Sequence, residues 1–406
     1  MRKTMKRALQ ISVFGIGLFA ALMAHADWLQ FRGSDGTGVS ANSTLPTNWS
    51  EDQNIAWRAD LPGRGPSSPI VVKGRVYVTC SGGSNQDRLY VLCFDAKTGK
   101  ESWRREFWAT GRTLCHPSSA VAAPSPASDG ERIFAFYSSN DLICLDLDGN
   151  LLWYRGLAVD YPKTGNDVGM ASSPAVIDGT VVVQVECQGD SFAEGIDAKT
   201  GERRWRVKRD PRANWASPVA FRPTNGQGLV LLQSPSGLTA HDPRSGEEKW
   251  KYETDCPSVP TLVAADNRIY LPSNGITVLK LSADATAPEL DWDSNRLNPS
   301  SSSPIIHDGK IYTLNSNVLN CGDAASGDKL WQVRLGGRFW ATPVIAGKYM
   351  YTVNYDGDAS VIDISGEKGE VVATNKFNES VQGTPAVDGN AMYVRSDGHL
   401  WKVAAE

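Results

Sequence analysis

Apolar and polar positions along the chain follow two alternating signals. The first is clearest over residues 89–103, LYVLCFDAKTGKESW. Leu89, Val91 and Cys93 alternate with Tyr90, Leu92 and Phe94, a run that predicts a buried or half-buried strand. Asp95-Ala96-Lys97-Thr98-Gly99 then reverses the chain. An Asp carboxylate accepts a hydrogen bond from the backbone two residues on, and Gly tolerates the positive φ that closes such a hairpin. A second strand carries Trp103 four residues after that Gly. The same order returns in segments ending at Trp153, Trp205, Trp250 and Trp331.

The second signal is a Pro, usually after Ser or Thr, followed by an apolar strand, a turn and another apolar strand. SSPIVVKGRVYVTC is the first example. The prolines are Pro69, Pro126, Pro174, Pro218, Pro260, Pro304, Pro343 and Pro385, about forty to fifty residues apart, a period that marks a propeller of four-stranded blades. The fold expected is therefore all-β: an eight-bladed β-propeller of four-stranded antiparallel blades. The last repeat stops after the strand around residues 399–404, without a fourth strand or its Trp. Ile55-Ala56-Trp57 has the missing pattern. Residues 54–61 are thus expected to complete the last blade and close the ring, which removes a sheet edge that would otherwise invite aggregation. Two repeats depart from the pattern. An insertion at 285–289 precedes Trp292, and the seventh repeat runs to Val371 and Val372 without a Trp. The repeat Trp rings are expected to pack between blades as core.

Three segments follow. Residues 1–26 read as a cleavable export signal, with Arg2, Lys3, Lys6 and Arg7 before an apolar run and Ala24-His25-Ala26 at the cut. No Cys stands near that cut, so the expectation is a periplasmic or secreted protein without a lipid anchor. Residues 27–53 form a Gly- and Ser-containing arm that reads as loop, and residues 54–406 form one propeller. Of the seven Cys, Cys93, Cys144 and Cys321 stand two residues before the turn Asp, where other repeats have Gly195 or Ala240. That slot suits a small buried side chain. A Cys80–Cys93 bridge across one hairpin stays open. The formal net charge of −4, with no Lys/Arg-rich run, excludes nucleic acid as the main partner.

The turn motif Phe94-Asp95-Ala96-Lys97-Thr98-Gly99-Lys100-Glu101-Ser102-Trp103 resembles that of the pyrroloquinoline-quinone-like (PQQ-like) repeat propellers, and the resemblance runs from Ile55 to Glu406. That family contains quinone-dependent alcohol and sugar dehydrogenases and the non-enzymatic BamB-like propellers of outer-membrane β-barrel assembly. The resemblance implies either a scaffold or an enzyme that holds pyrroloquinoline quinone with calcium. The chain lacks the lipid-attachment Cys of the assembly lipoprotein and the adjacent Cys-Cys pair of many quinone dehydrogenases.

Candidate chemistry is sparse. Gly-x-x-x-x-Gly-Lys-Ser/Thr, Gly-x-Ser-x-Gly, His-Glu-x-x-His and Cys-x-x-Cys are all missing. Asp146-Leu147-Asp148-Gly149-Asn150 and Asn354-Tyr355-Asp356-Gly357-Asp358 begin like calcium loops but lack the later Gly and Glu, and read as turns. Counting back from each Pro puts Trp215 and Trp340 in one slot and Arg64 and Arg338 in another, a set suited to an anionic, partly aromatic ligand at one funnel mouth. His116, beside Cys115, and Asn166 and Asp167 lie on the longest loops expected at that mouth. Asp167 is the candidate general base. Asn140, Asp141 and Glu186 are the candidate oxygen ligands for calcium. Two functions result: a non-catalytic, monomeric scaffold that binds a protein, peptide or carbohydrate, and a PQQ- and calcium-dependent alcohol or sugar dehydrogenase.

Overall fold

A computed structural model describes residues 27–405 except 225 and 283–286. The expected export signal, and part of the insertion before Trp292, lie outside the described residues. The strands form eight separate sheets around a ring, each a four-stranded antiparallel meander, and the seventh carries one extra strand. Blade one consists of Ile70–Val72, Arg75–Gly82, Arg88–Asp95 and Glu101–Trp108. Burial falls outwards. Ile70–Val72 is wholly buried, whereas Glu101–Trp108 alternates half-buried and exposed residues. Inner strands are sandwiched between neighbouring blades on both faces, so they are largely apolar. An outermost strand has a free edge, and its alternate positions are charged.

The repeat turn works as its sequence predicts. Asp95 Oδ1 accepts from the backbone amides of Lys97 at 3.1 Å and Thr98 at 2.7 Å, and Gly99 closes the turn at φ +71°. Asp197, Asp242 and Asp323 repeat this arrangement. The turn glycine has a second role. A Cβ on Gly99, Gly149, Gly201, Gly246 or Gly327 would lie 2.5–2.7 Å from the indole of Trp57, Trp103, Trp153, Trp205 or Trp292, respectively. Each of these Trp residues belongs to the preceding blade. All five also donate an indole N–H to a carbonyl of the turn they cover, as Trp153 does to Ala198 at 3.1 Å. The repeat thus encodes blade-to-blade docking as well as a hairpin, because only Gly leaves room for the ring.

The ring closes through the N-terminal strand. Ile55–Asp60 pairs antiparallel with His399–Ala404, with Trp57 opposite Lys402 and Asp60 opposite His399. Trp57 then covers Gly99 of blade one, so it supplies the Trp that the eighth repeat lacks.

The arm at 27–53 is more ordered than a loop reading implies. It crosses the face carrying the turns between first and second strands. Trp28 bridges to Val71 in blade one, and Arg32 reaches Leu262 in blade five. Val39–Ser40 adds a parallel strand to Val344–Ala346 in blade seven, and Trp49 packs on Phe377. All seven cysteines are free thiols. Register explains why Cys80 and Cys93 do not pair: Cys80 faces Tyr90 and Cys93 faces Tyr77.

Candidate functional site

A cavity of about 440 Å³ runs along the propeller axis. Its wall is built from the residues that lead into the innermost strands. Ser68, Ser125, Ser173, Ser217, Thr261, Ser303, Thr342 and Thr384 form a hydroxyl ring around it. From Ser68 to Thr342, each backbone amide donates to the hydroxyl of the next blade at 2.9–3.1 Å, the last to Thr384. These hydroxyls stitch the blades together and keep their own protons for a ligand. Sequence reading used the prolines as markers and passed over the hydroxyl residue before them, although the Ser/Thr-Pro repeat was its visible signal. In blade five the structure also shifts the count. Thr261 occupies the ring position and Leu262 stands where other blades place Pro, so Pro260 lies two residues early. Counting three back from Pro260, as in the other blades, would give Pro257, but the equivalent of Trp215 and Trp340 is Val259, which lines the cavity.

Phe31 of the arm closes one end of the cavity, and the rim at the other carries Trp215, Trp340, His116 and Val168. The Trp215 indole N–H donates to the Gly169 carbonyl at 2.8 Å, which fixes its ring against the long loop of blade three. Trp340 is 46% exposed and free to meet a ligand. His116 Nδ1 and the Ser118 hydroxyl lie 2.7 Å apart.

The other sequence candidates lie outside this lining. Arg64 donates to the Pro117 carbonyl at 3.1 Å and pairs with Asp397 at 3.4 Å, so it ties a rim loop to blade eight. Arg338 lies over the Tyr355 ring. Asp167 pairs with Arg112 at 2.8 Å with its side chain 81% exposed. Asn166 is buried, and its side-chain oxygen accepts from the Val168 amide at 3.1 Å, shaping the turn.

Of the three candidate calcium ligands, the two carboxylates are engaged by other side chains. Asn140 sits at φ +63°, with its amide 3.4 Å from the Thr164 hydroxyl. The Asp141 carboxylate accepts from the Thr110 amide and hydroxyl, the Ser139 hydroxyl and the Tyr154 hydroxyl at 2.5–3.0 Å. Glu186 forms a buried ion pair with Arg209 at 2.6 Å. The Asn140 oxygen is buried without a partner, but the Asp141 and Glu186 carboxylates are committed elsewhere and do not fit calcium, which needs several free oxygen ligands converging on one point. The cavity also offers no guanidinium for the carboxylates of a quinone cofactor. Burial pushes the Cys115 thiol up from its ordinary value, which disfavours the nucleophilic thiolate.

Comparison with known proteins places this geometry. A sequence model of the family described as outer membrane protein assembly factor BamB matches residues 34–192, 90–321 and 315–406. The chain belongs to this BamB-like family of PQQ-type propellers. The outer membrane protein assembly factor BamB of Burkholderia pseudomallei (strain K96243) is 27% identical over 375 residues, 86% of this chain and 87% of that one. Among solved structures, BamB from Moraxella catarrhalis superposes with a TM-score of 0.64 at 16% identity, covering 86% of this chain and 96% of that one. A europium-containing methanol dehydrogenase superposes with a TM-score of 0.70 at 14% identity, over 93% of this chain and 98% of that one. The two structural likenesses show the propeller fold in both a BamB and a dehydrogenase.

Proposed function

We propose that this protein is a non-catalytic, exported binding propeller that takes an extended segment of a partner polypeptide at the mouth ringed by Trp215 and Trp340. One observation carries the reading: the cavity's lining residues include no carboxylate, and His116, their one titratable side chain, has its acceptor Nδ1 engaged by the Ser118 amide at 3.2 Å. Oxidation of an alcohol needs a base at the substrate hydroxyl, and the candidate Asp167 points into an ion pair at the surface. What the cavity offers is hydroxyl donors, aliphatic side chains and two indoles. Hydroxyls suit the amides and carbonyls of a peptide backbone, and exposed indoles are the usual anchors of a protein interface. The name of the Burkholderia relative, an outer membrane protein assembly factor, supports a polypeptide over a small molecule. Among the described residues no helix is long and apolar enough to cross a membrane. The chain acts as a monomer in this reading.

The test is a titration of the native chain with strand-length peptides from outer-membrane β-barrels, followed by tryptophan fluorescence and calorimetry. Trp340→Ala is expected to weaken binding about 30-fold, as for an interface residue worth about 2 kcal/mol, with no change in melting temperature. The reading fails if the native chain ignores the peptides. It also fails if PQQ with Ca²⁺ raises the melting temperature saturably and the loaded protein reduces an artificial electron acceptor with an alcohol. The second result would establish the dehydrogenase.

A further inference from the structure

Beneath the main cavity, on the side of blades three to five, lies a second space of about 20 Å³. Arg32 and Phe31 bound it from the arm, and Ser173, Ser217 and Thr261 bound it from the hydroxyl ring. Arg32 is only 1% exposed. One guanidinium nitrogen, Nη2, donates to the Leu262 carbonyl at 2.7 Å. Nε and Nη1 are buried with no hydrogen-bond partner among the described residues. No carboxylate among them lies within ion-pair distance of Arg32. Asp35, the nearest acid on the arm, is exposed and accepts from the Thr37 amide and hydroxyl at 3.0 and 2.8 Å.

A buried charge with no counter-ion is costly, and proteins avoid it by pairing. The three hydroxyls facing the same space each accept a neighbouring backbone amide and so have a proton to give. Arg32 and these three hydroxyls thus bring unused donors to the space, which Gln30 also borders. The space is about the size needed for one water-sized particle, too small for a carboxylate or phosphate. We infer that this space is a halide site, filled by chloride in ordinary buffers, which neutralises Arg32 and latches the N-terminal arm to the ring beneath the channel. A water molecule would fill the same volume but bring no charge. Burial lowers the Arg32 pKa to about 10, with the more distant Asp35 carboxylate opposing the shift, which leaves the guanidinium protonated near neutral pH.

Two measurements on the native chain decide the matter. Crystals soaked in bromide are expected to show an anomalous peak within hydrogen-bond reach of Arg32 Nε and Nη1. Bromide ordered elsewhere with none at Arg32 would overturn the inference. Thermal melts at constant ionic strength, with chloride replacing gluconate, are expected to show a saturable rise of about 1–3 °C. Equal melting temperatures in the two salts would also overturn it. Arg32→Met, which keeps the length but removes the charge, is expected to melt identically in both. If that variant fails to fold, the bromide map and the native melts still give the answer.

Discussion

Arg209 and Glu186 show how far a single side chain is committed to the fold. The pair is buried, and Arg209 also donates to the Thr239 hydroxyl at 2.9 Å. Burial raises the Glu186 pKa above its usual 4.5, with Arg209 opposing that shift. Arg209→Ala would strand a buried carboxylate at a cost of about 3–5 kcal/mol. The sign with pH follows from the raised value. A carboxyl that protonates more readily in the folded state gives stability below its unfolded pKa and loses it as pH rises through the folded one. The loss in Arg209→Ala should therefore be larger at pH 8 than at pH 5, measured by urea unfolding. An equal loss at both would mean that Glu186 is not left charged. Neither partnership could be read from sequence. Glu186 and Arg209 are 23 positions apart, and Asp141 finds Thr110 from 31 away. Arg32 is a sharper case, since nothing in a Gly-containing arm marks one residue as the one that is buried beneath the channel. Trp215 and Trp340, by contrast, were found because they occupy equivalent places in a repeat.

At the level of the blade, the hairpin turn and the docking Trp form one unit. Gly201→Ala would place a Cβ 2.7 Å from the Trp153 ring, at φ +73°. Overpacking of this kind costs about 1–3 kcal/mol, and the left-handed backbone adds strain for any residue with a Cβ. Gly309 provides the control, because it has φ +68° but no atom within 4 Å of its Cβ position. Gly201→Ala should lower the melting temperature clearly more than Gly309→Ala. Equal losses would show that the ring moves aside and that Trp153 is not tightly docked. Strand order, turn chemistry and Trp packing were legible because each recurs, and recurrence separates pattern from accident. Blade five misled where it broke the pattern, with Leu262 in place of the proline and Pro260 two residues early.

The whole ring depends on contacts between its two chain ends. Ile55–Asp60 covers the edge of His399–Ala404 and carries the Trp that docks on blade one. A chain beginning at residue 61 should therefore self-associate through the uncovered strand, seen as higher species in size-exclusion chromatography, and a synthetic 54–61 peptide should suppress them. A monodisperse monomer without the peptide would show that closure is dispensable. Eight blades and their closure were readable from the repeat count and one stray Trp. The course of the arm across the ring was not, because its anchors in blades one, five and seven are far from it in sequence. Closure also has a consequence for timing. Ile55 waits for Val403, about 350 residues later. At about 5–20 residues per second of synthesis, the closing strand is without its mate for roughly 20–70 s. Throughout that interval the chain carries an open edge and the apolar side chains of its arm, and its safe passage depends on whatever accompanies it while unfinished.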